Sequence, residues 1–142
     1  MKLSSNVSKE AIYTFQLILC YMGEKKNEGQ SPTQMCSLLV EKAIQHVELR
    51  DEIYSQLIKQ TNENPTIESL RKGWELWTVC CSSFPPTKQF EGFIKNYVES
   101  HITRHDRIGK FARHCLTLLE DVCQHGARSS IPSAEEIDTM RV

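Results

Sequence analysis

The sequence predicts an all-α fold, a compact irregular helical bundle of about six to eight helices around a single core. Three observations carry that expectation. Apolar residues recur at i, i+3, i+4 and i+7 in consecutive segments, as one buried helix face requires. Two capping boxes, Ser31-Pro32-Thr33-Gln34 and Ser133-Ala134-Glu135-Glu136, mark helix starts. No segment alternates apolar and polar residues as a half-buried strand would.

Taken in order, Ser8 caps a first helix over residues 9–22, with Ile12, Phe15, Leu19 and Met22 on one face and Gly23 as its stop. A polar loop follows. The first capping box, with Pro32 at the first helical position, then opens a helix that lines up Cys36, Leu39, Val40, Ala43, Ile44 and Val47. A third helix carries Leu49, Ile53, Leu57 and Ile58 and ends before Asn64-Pro65. Thr66 opens a fourth, stopped by Pro85-Pro86, and Thr87 caps a fifth built on Phe90, Phe93, Ile94, Tyr97 and Val98. The sixth runs from about Asp106 to His125 and turns Ile108, Phe111, Ala112, Cys115, Leu119 and Val122 inward, with Gly126 as its stop. The second capping box opens a last helix from about residue 133, which is expected to lead into a following domain.

The 142 residues suit one domain spanning 1–142, and a hydrophobic share of 39% supplies a real core. With 17 Lys+Arg against 18 Asp+Glu, the net charge of -1 argues against a dedicated nucleic-acid binder. The longest apolar stretch, near Ile12 to Met22, is far shorter than the ~20 residues of a membrane span. The six cysteines fall mostly on apolar helical stripes and no secretory signal opens the chain, so free thiols and a cytoplasmic setting are expected.

No motif points to chemistry. His101 and His105 have the i, i+4 spacing of zinc ligands, but they straddle a helix break, and no Cys-x-x-Cys pair closes a site. Cys80-Cys81 sits at the negative end of an apolar helix, which disfavours a thiolate nucleophile. Without a phosphate loop, a nucleophile elbow or paired carboxylates, the chain reads as non-catalytic, with no cofactor and no metal. Trp74 and Trp77 read as core anchors, with Gly73 permitting close helix approach. Glu75 between them needs a cation, for which Arg50 is the candidate. The one charge feature is HITRHDRIGKFARH, where Arg104, Arg107, Lys110 and Arg113 oppose a single acid, Asp106. These four cations are expected to stay exposed and to form a surface for an anionic partner.

Three strings together carry a family resemblance: LRDEIYSQLIKQTNENP (49–65), ESLRKGWELWTVCCSSFPPT (68–87) and GARSSIPSAEEI (126–137). They resemble the myosin tail homology 4 (MyTH4) domain, an all-α module of unconventional myosins, a plant kinesin and non-motor cytoskeletal regulators. FQLILCYMGEKK (15–26) is similar to its first helix. ESLRKGWEL followed by FPPT and Phe90 looks most like the version that precedes a Rho GTPase-activating domain, rather than the motor version. Two positions depart from the pattern: Ile131 where the family ending usually has Pro, and Trp77 where a Leu usually follows WEL. The resemblance implies a non-catalytic interaction module of a larger cytoskeletal or Rho-signalling protein. It would bind tubulin or a signalling protein jointly with a neighbouring domain, in a cytoplasmic, cytoskeleton-associated setting. The matched residues Arg50, Asp51, Glu52, Gly73, Trp74, Glu75, Pro85 and Pro86 read as fold-makers, which leaves partner binding to the basic run. Docking of a helical adaptor on anionic membranes is the competing expectation.

Overall fold

A computed structural model of the chain describes residues 5–27 and 29–141. Seven helices and no strand occur among the described residues: α1 (Ser5–Tyr21), α2 (Pro32–Gln45), α3 (Leu49–Thr61), α4 (Ile67–Ser83), α5 (Lys88–Glu99), α6 (Arg107–His125) and α7 (Ala134–Met140).

Helix α1 differs from its expected form in two ways. It is already helical at Ser5, so Ser8 lies inside it rather than capping it. Its buried face is Val7, Ala11, Thr14, Leu17, Ile18 and Tyr21, one position round from the anticipated stripe, and Ile12 is 60% exposed. Thr14 is compatible with that face because its hydroxyl donates to the Ala11 carbonyl within the helix (3.0 Å). Helix α2 opens with the anticipated box, Ser31 Oγ accepting from the Gln34 amide at 3.1 Å and Gln34 accepting from the Ser31 amide at 2.9 Å. It ends before Val47, which falls in the turn and is 55% exposed instead of joining the stripe.

Helix α4 is the centre of the molecule, in contact with α1, α2, α3, α6 and α7. Every residue from Gly73 to Cys81 is buried, the behaviour of a helix apolar on most sides. Trp74 and Trp77 are fully buried and stacked at 5.5 Å, and Tyr97 of α5 lies parallel to both. Gly73 sits where a Cβ would stand 2.7 Å from Thr61 Cγ2 and 2.9 Å from Met22 Cε, so α4 meets α3 and the end of α1 through bare backbone. Pro85 and Pro86 have no amide hydrogen to continue α4, whose last hydrogen bond is Phe84 N to Cys80 O.

Neither threonine start is a side-chain cap. The Asn64 carboxamide oxygen accepts from the Thr66 amide at 2.9 Å, and Thr87 gives both its amide and its hydroxyl to Asp51, each at 2.7 Å. Asp51 thereby ties α3 to the start of α5 across the proline turn. On α5 itself Ile94 and Val98 are buried, but Phe93 is 57% exposed, against expectation. It stacks on half-buried Phe90 at 5.2 Å instead of entering the core. Helix α7 opens with the second anticipated capping box and inserts fully buried Ile137 against α2 and α4.

Candidate interaction surface

The matched motif residues sit as follows. Arg50 does not reach Glu75: its Nε donates to the Ala43 carbonyl at 2.8 Å, serving the C-terminal end of α2. Glu75 is instead paired with Arg71 one turn earlier and accepts from Tyr21, while Arg141 approaches to 3.7 Å and donates to the Tyr21 hydroxyl at 2.7 Å. The i, i+4 spacing of Arg71 and Glu75 was present in the sequence. The partnership with Tyr21 and Arg141 spans 54 and 66 positions and has no local signal. Glu52 is half-buried and accepts from Gln56, Trp74 is fully buried, Pro86 is buried and Pro85 is half-buried.

The basic run is built where α5 hands over to α6. After Glu99 the chain turns through residues 100–106, with the His101 ring tilted against Trp74 and Tyr97 at 5.1 and 4.8 Å. Asp106 is the N-cap of α6, its carboxylate accepting from the Gly109 amide at 3.2 Å. The same carboxylate is gripped by Arg104 at 2.6 Å, and that hydrogen bond holds its pKa below the usual aspartate range. Gly109 is essential to this turn, because a Cβ there would stand 2.0 Å from the Arg104 carbonyl oxygen. Sequence reasoning passed over Gly109, although a glycine inside a periodic run is a recognised sign of close backbone approach.

The four cations differ in how they are held. Arg104 precedes the helix and is half-buried against Asp106, so it is not the freely exposed helix residue anticipated. Arg113 is exposed but donates to the carbonyls of Ile102 and Arg104, at 2.7 and 3.2 Å. Arg107 is exposed over the Phe111 ring at 5.8 Å, and Lys110 is exposed with no ion pair among the described residues. Arg107, Lys110 and Arg113, together with His105 and His114, line an open groove of about 660 Å³ that also takes in Asp106 and Phe111, while Arg104 lies beside it. The first turn of α6 carries no acidic side chain, although the positive end of the helix dipole favours one there.

Among the described residues no three His, Cys, Asp or Glu side chains gather as metal ligands would, and no helix is long and apolar enough to cross a membrane. All six cysteines are free thiols, with Cys36, Cys80, Cys81 and Cys115 buried and Cys20 and Cys123 half-buried.

Seven helices packed around one core, with no strand and no metal-ligand cluster among the described residues, make this an all-helical module. The chain belongs to the MyTH4 domain family, whose profile matches residues 36–139. Such domains are non-catalytic protein-interaction modules of cytoskeletal proteins. The chain is 33% identical to the kinesin-like protein KIN-14E of Arabidopsis thaliana, over 99% of its own length and 12% of that protein. It is 32% identical to the high molecular weight form of myosin-1 of Acanthamoeba castellanii, over 91% of itself and 8% of that protein. Among solved structures it superimposes on a mutant MyTH4-FERM MF1 domain of Dictyostelium discoideum Myosin VII with a TM-score of 0.88 at 27% identity. That match covers 99% of this chain and 30% of the other. It also matches the human Myosin 7b C-terminal MyTH4-FERM domain in complex with the harmonin-a PDZ3 domain, with a TM-score of 0.80 at 25% identity, over 93% of this chain and 27% of the other. The chain thus spans a small fraction of the relatives it matches.

Proposed function

We propose that residues 1–142 act as one docking module of a larger cytoskeletal protein, and that the surface around Arg104, Arg107, Lys110 and Arg113 receives an acidic protein partner. The observation that carries this reading is the groove itself. Three exposed cations and two histidines line it, and its single carboxylate, Asp106, is already engaged by Arg104 and the Gly109 amide. Arg107 and Lys110 sit at the end of α6 where the dipole disfavours positive charge, by ~0.3–1 kcal/mol each. The Asp106 carboxylate at the N-cap answers part of that field, and a bound anionic segment would answer more of it. From Arg107 to Arg113 the helix rises about 9 Å, comparable to a Debye length of ~8 Å, so the cations act together on an extended acidic segment. Tubulin's acidic tails have that form. The solved complex of the Myosin 7b domain with a PDZ domain supports a protein partner as the general case, and a neighbouring domain of the same chain is expected to share the contact.

The test is co-sedimentation of the purified chain with microtubules and, separately, with anionic vesicles. The Arg107→Glu/Lys110→Glu variant, which leaves the Arg104 and Arg113 bonds of the turn in place, should remain helical and lose microtubule binding. Wild-type binding to vesicles alone favours membrane docking, and undiminished microtubule binding by the variant removes the surface from the account. The finer placement, beside a Rho GTPase-activating domain, rests on ESLRKGWEL with FPPT, whereas the curated relatives named above are motors. Sequencing the parent transcript past Val142 decides it.

A further inference from the structure

We propose that capture of an acidic peptide in the α6 groove is coupled to protonation of His105 and His114, so that this surface binds more tightly as pH falls through the histidine range. The inference rests on the docking reading above and adds its regulation. Both rings are exposed and line the groove with Arg107, Lys110 and Arg113. The other histidines face elsewhere. His101 is stacked on Trp74 and Tyr97 and bonds the Tyr97 carbonyl, His125 pairs with Asp121 at the far end of α6, and His46 ends α2.

The surrounding charges fix the direction of the coupling. Around the two rings the chain itself supplies Arg104, Asp106, Arg107, Lys110 and Arg113. From α4, Glu68 faces the Arg107 end and is already bonded to Arg71 at 3.0 Å, while Lys72 extends toward Gly23. The α5 charges that face α6, Glu91 and Lys95, meet Cys123 and Glu120 toward the opposite end. Both carboxylates near the groove are therefore committed to arginines, and neither histidine has an ion pair among the described residues. An acidic peptide brings the carboxylates these rings lack. The complex then favours imidazolium more than the free groove does, so binding takes up protons and affinity rises as pH falls. Histidine is the side chain that changes charge in this window.

A fluorescent oligoglutamate peptide is the probe, because its carboxylates stay ionised between pH 6 and 8. Anisotropy titrations of the wild type should show binding about tenfold tighter at pH 6 than at pH 8, the scale set by a charge partner acting on one titrating group. The His105→Gln/His114→Gln double variant should lose the pH dependence, with the same affinity at pH 6 as at pH 8. Both side chains are exposed, and an unchanged melting curve verifies folding. Calorimetry in buffers of differing ionisation enthalpy should record proton uptake by the wild type only. A flat wild-type profile, or a pH response that survives the double variant, overturns the proposal. The Arg107→Glu/Lys110→Glu variant separates the two readings. If it binds normally with its histidine-dependent profile intact, the docking reading by fixed cations fails and the linkage stands. If the wild type does not bind at either pH, both fail.

Discussion

Glu75 keeps both carboxylate oxygens occupied although its side chain is only 8% exposed, one by Tyr21 and one by Arg71. Burial pushes the Tyr21 phenol far above its ordinary range, so it serves as a permanent donor to this carboxylate. Removing one member of such a cluster strands the others. Glu75→Ala is therefore expected to cost about 3 kcal/mol in denaturant unfolding. A double-mutant cycle should find coupling of at least ~0.5 kcal/mol between Arg71 and Glu75 and essentially none between Arg50 and Glu75. The glycines give a second expectation at this scale. A Cβ at Gly73 meets side-chain atoms of Thr61 and Met22, which can shift, whereas a Cβ at Gly109 meets a backbone carbonyl at 2.0 Å. Gly73→Ala should cost ~1–3 kcal/mol in the same denaturant unfolding, and Gly109→Ala should cost more.

Helix α6 concentrates the element-scale consequences, because Asp106 both caps it and neutralises Arg104. Asp106→Asn keeps a side-chain oxygen for the cap and frees the guanidinium. Helicity by circular dichroism should be retained while affinity for the acidic probe rises, and loss of helicity would show that the charge itself holds the turn. On α2, Ser31→Ala removes half of a capping box and should cost about 1 kcal/mol. The elements were legible in the sequence where periodicity and caps agreed, as at Ser31, Ser133 and the Asp106-to-His125 run. They were misread where two faces of one helix are both apolar. On α1 the choice between Ile12 and Ala11 with Ile18 is made by contact with the rest of the bundle, which hydrophobicity along one helix does not encode. Phe93 continued a flawless apolar pattern, yet α5 lies over α6 and α3 and reaches α4 through Tyr97, and Phe93 on the opposite side stays exposed.

Across the whole molecule, the candidate surface was legible as a run of charge but not as a geometry. The internal bonds of Arg104 and Arg113 depend on a turn that only Gly109 signals in the sequence, by letting the backbone at Arg104 lie against α6. Thiol chemistry offers a global check. Burial pushes Cys36 up to about 12 and Cys123 up to about 11, and Cys80 and Cys81 well above the ordinary thiol range. Native protein at neutral pH should react slowly at the half-buried cysteines, Cys20 and Cys123, and elsewhere hardly at all, with six thiols titrating after unfolding without reductant. Acid stability follows from four surface carboxylates whose pKa values are lowered, three exposed and Glu91 half-buried: Glu68 by Arg71, Glu91 by Lys95, Asp106 by Arg104 and Glu136 by the Ser133 amide. Their contribution is complete above the unfolded carboxylate range and fades as pH falls through the lower folded values. A shallow decline in melting temperature below about pH 5 is expected, shallow because solvent screens all four.

The seat of α7 has a mechanical consequence. Ile137 is sunk between α2 and α4, Asp138 accepts from Thr33 at 2.6 Å, and Arg141 is hooked onto Tyr21. Tension applied at residue 141 would therefore load three separate helices at once, through α1, α2 and the central α4, before the last helix could peel away. In a chain joined to a moving partner, this end of the bundle would behave as an anchored handle and would pass the load directly to the core.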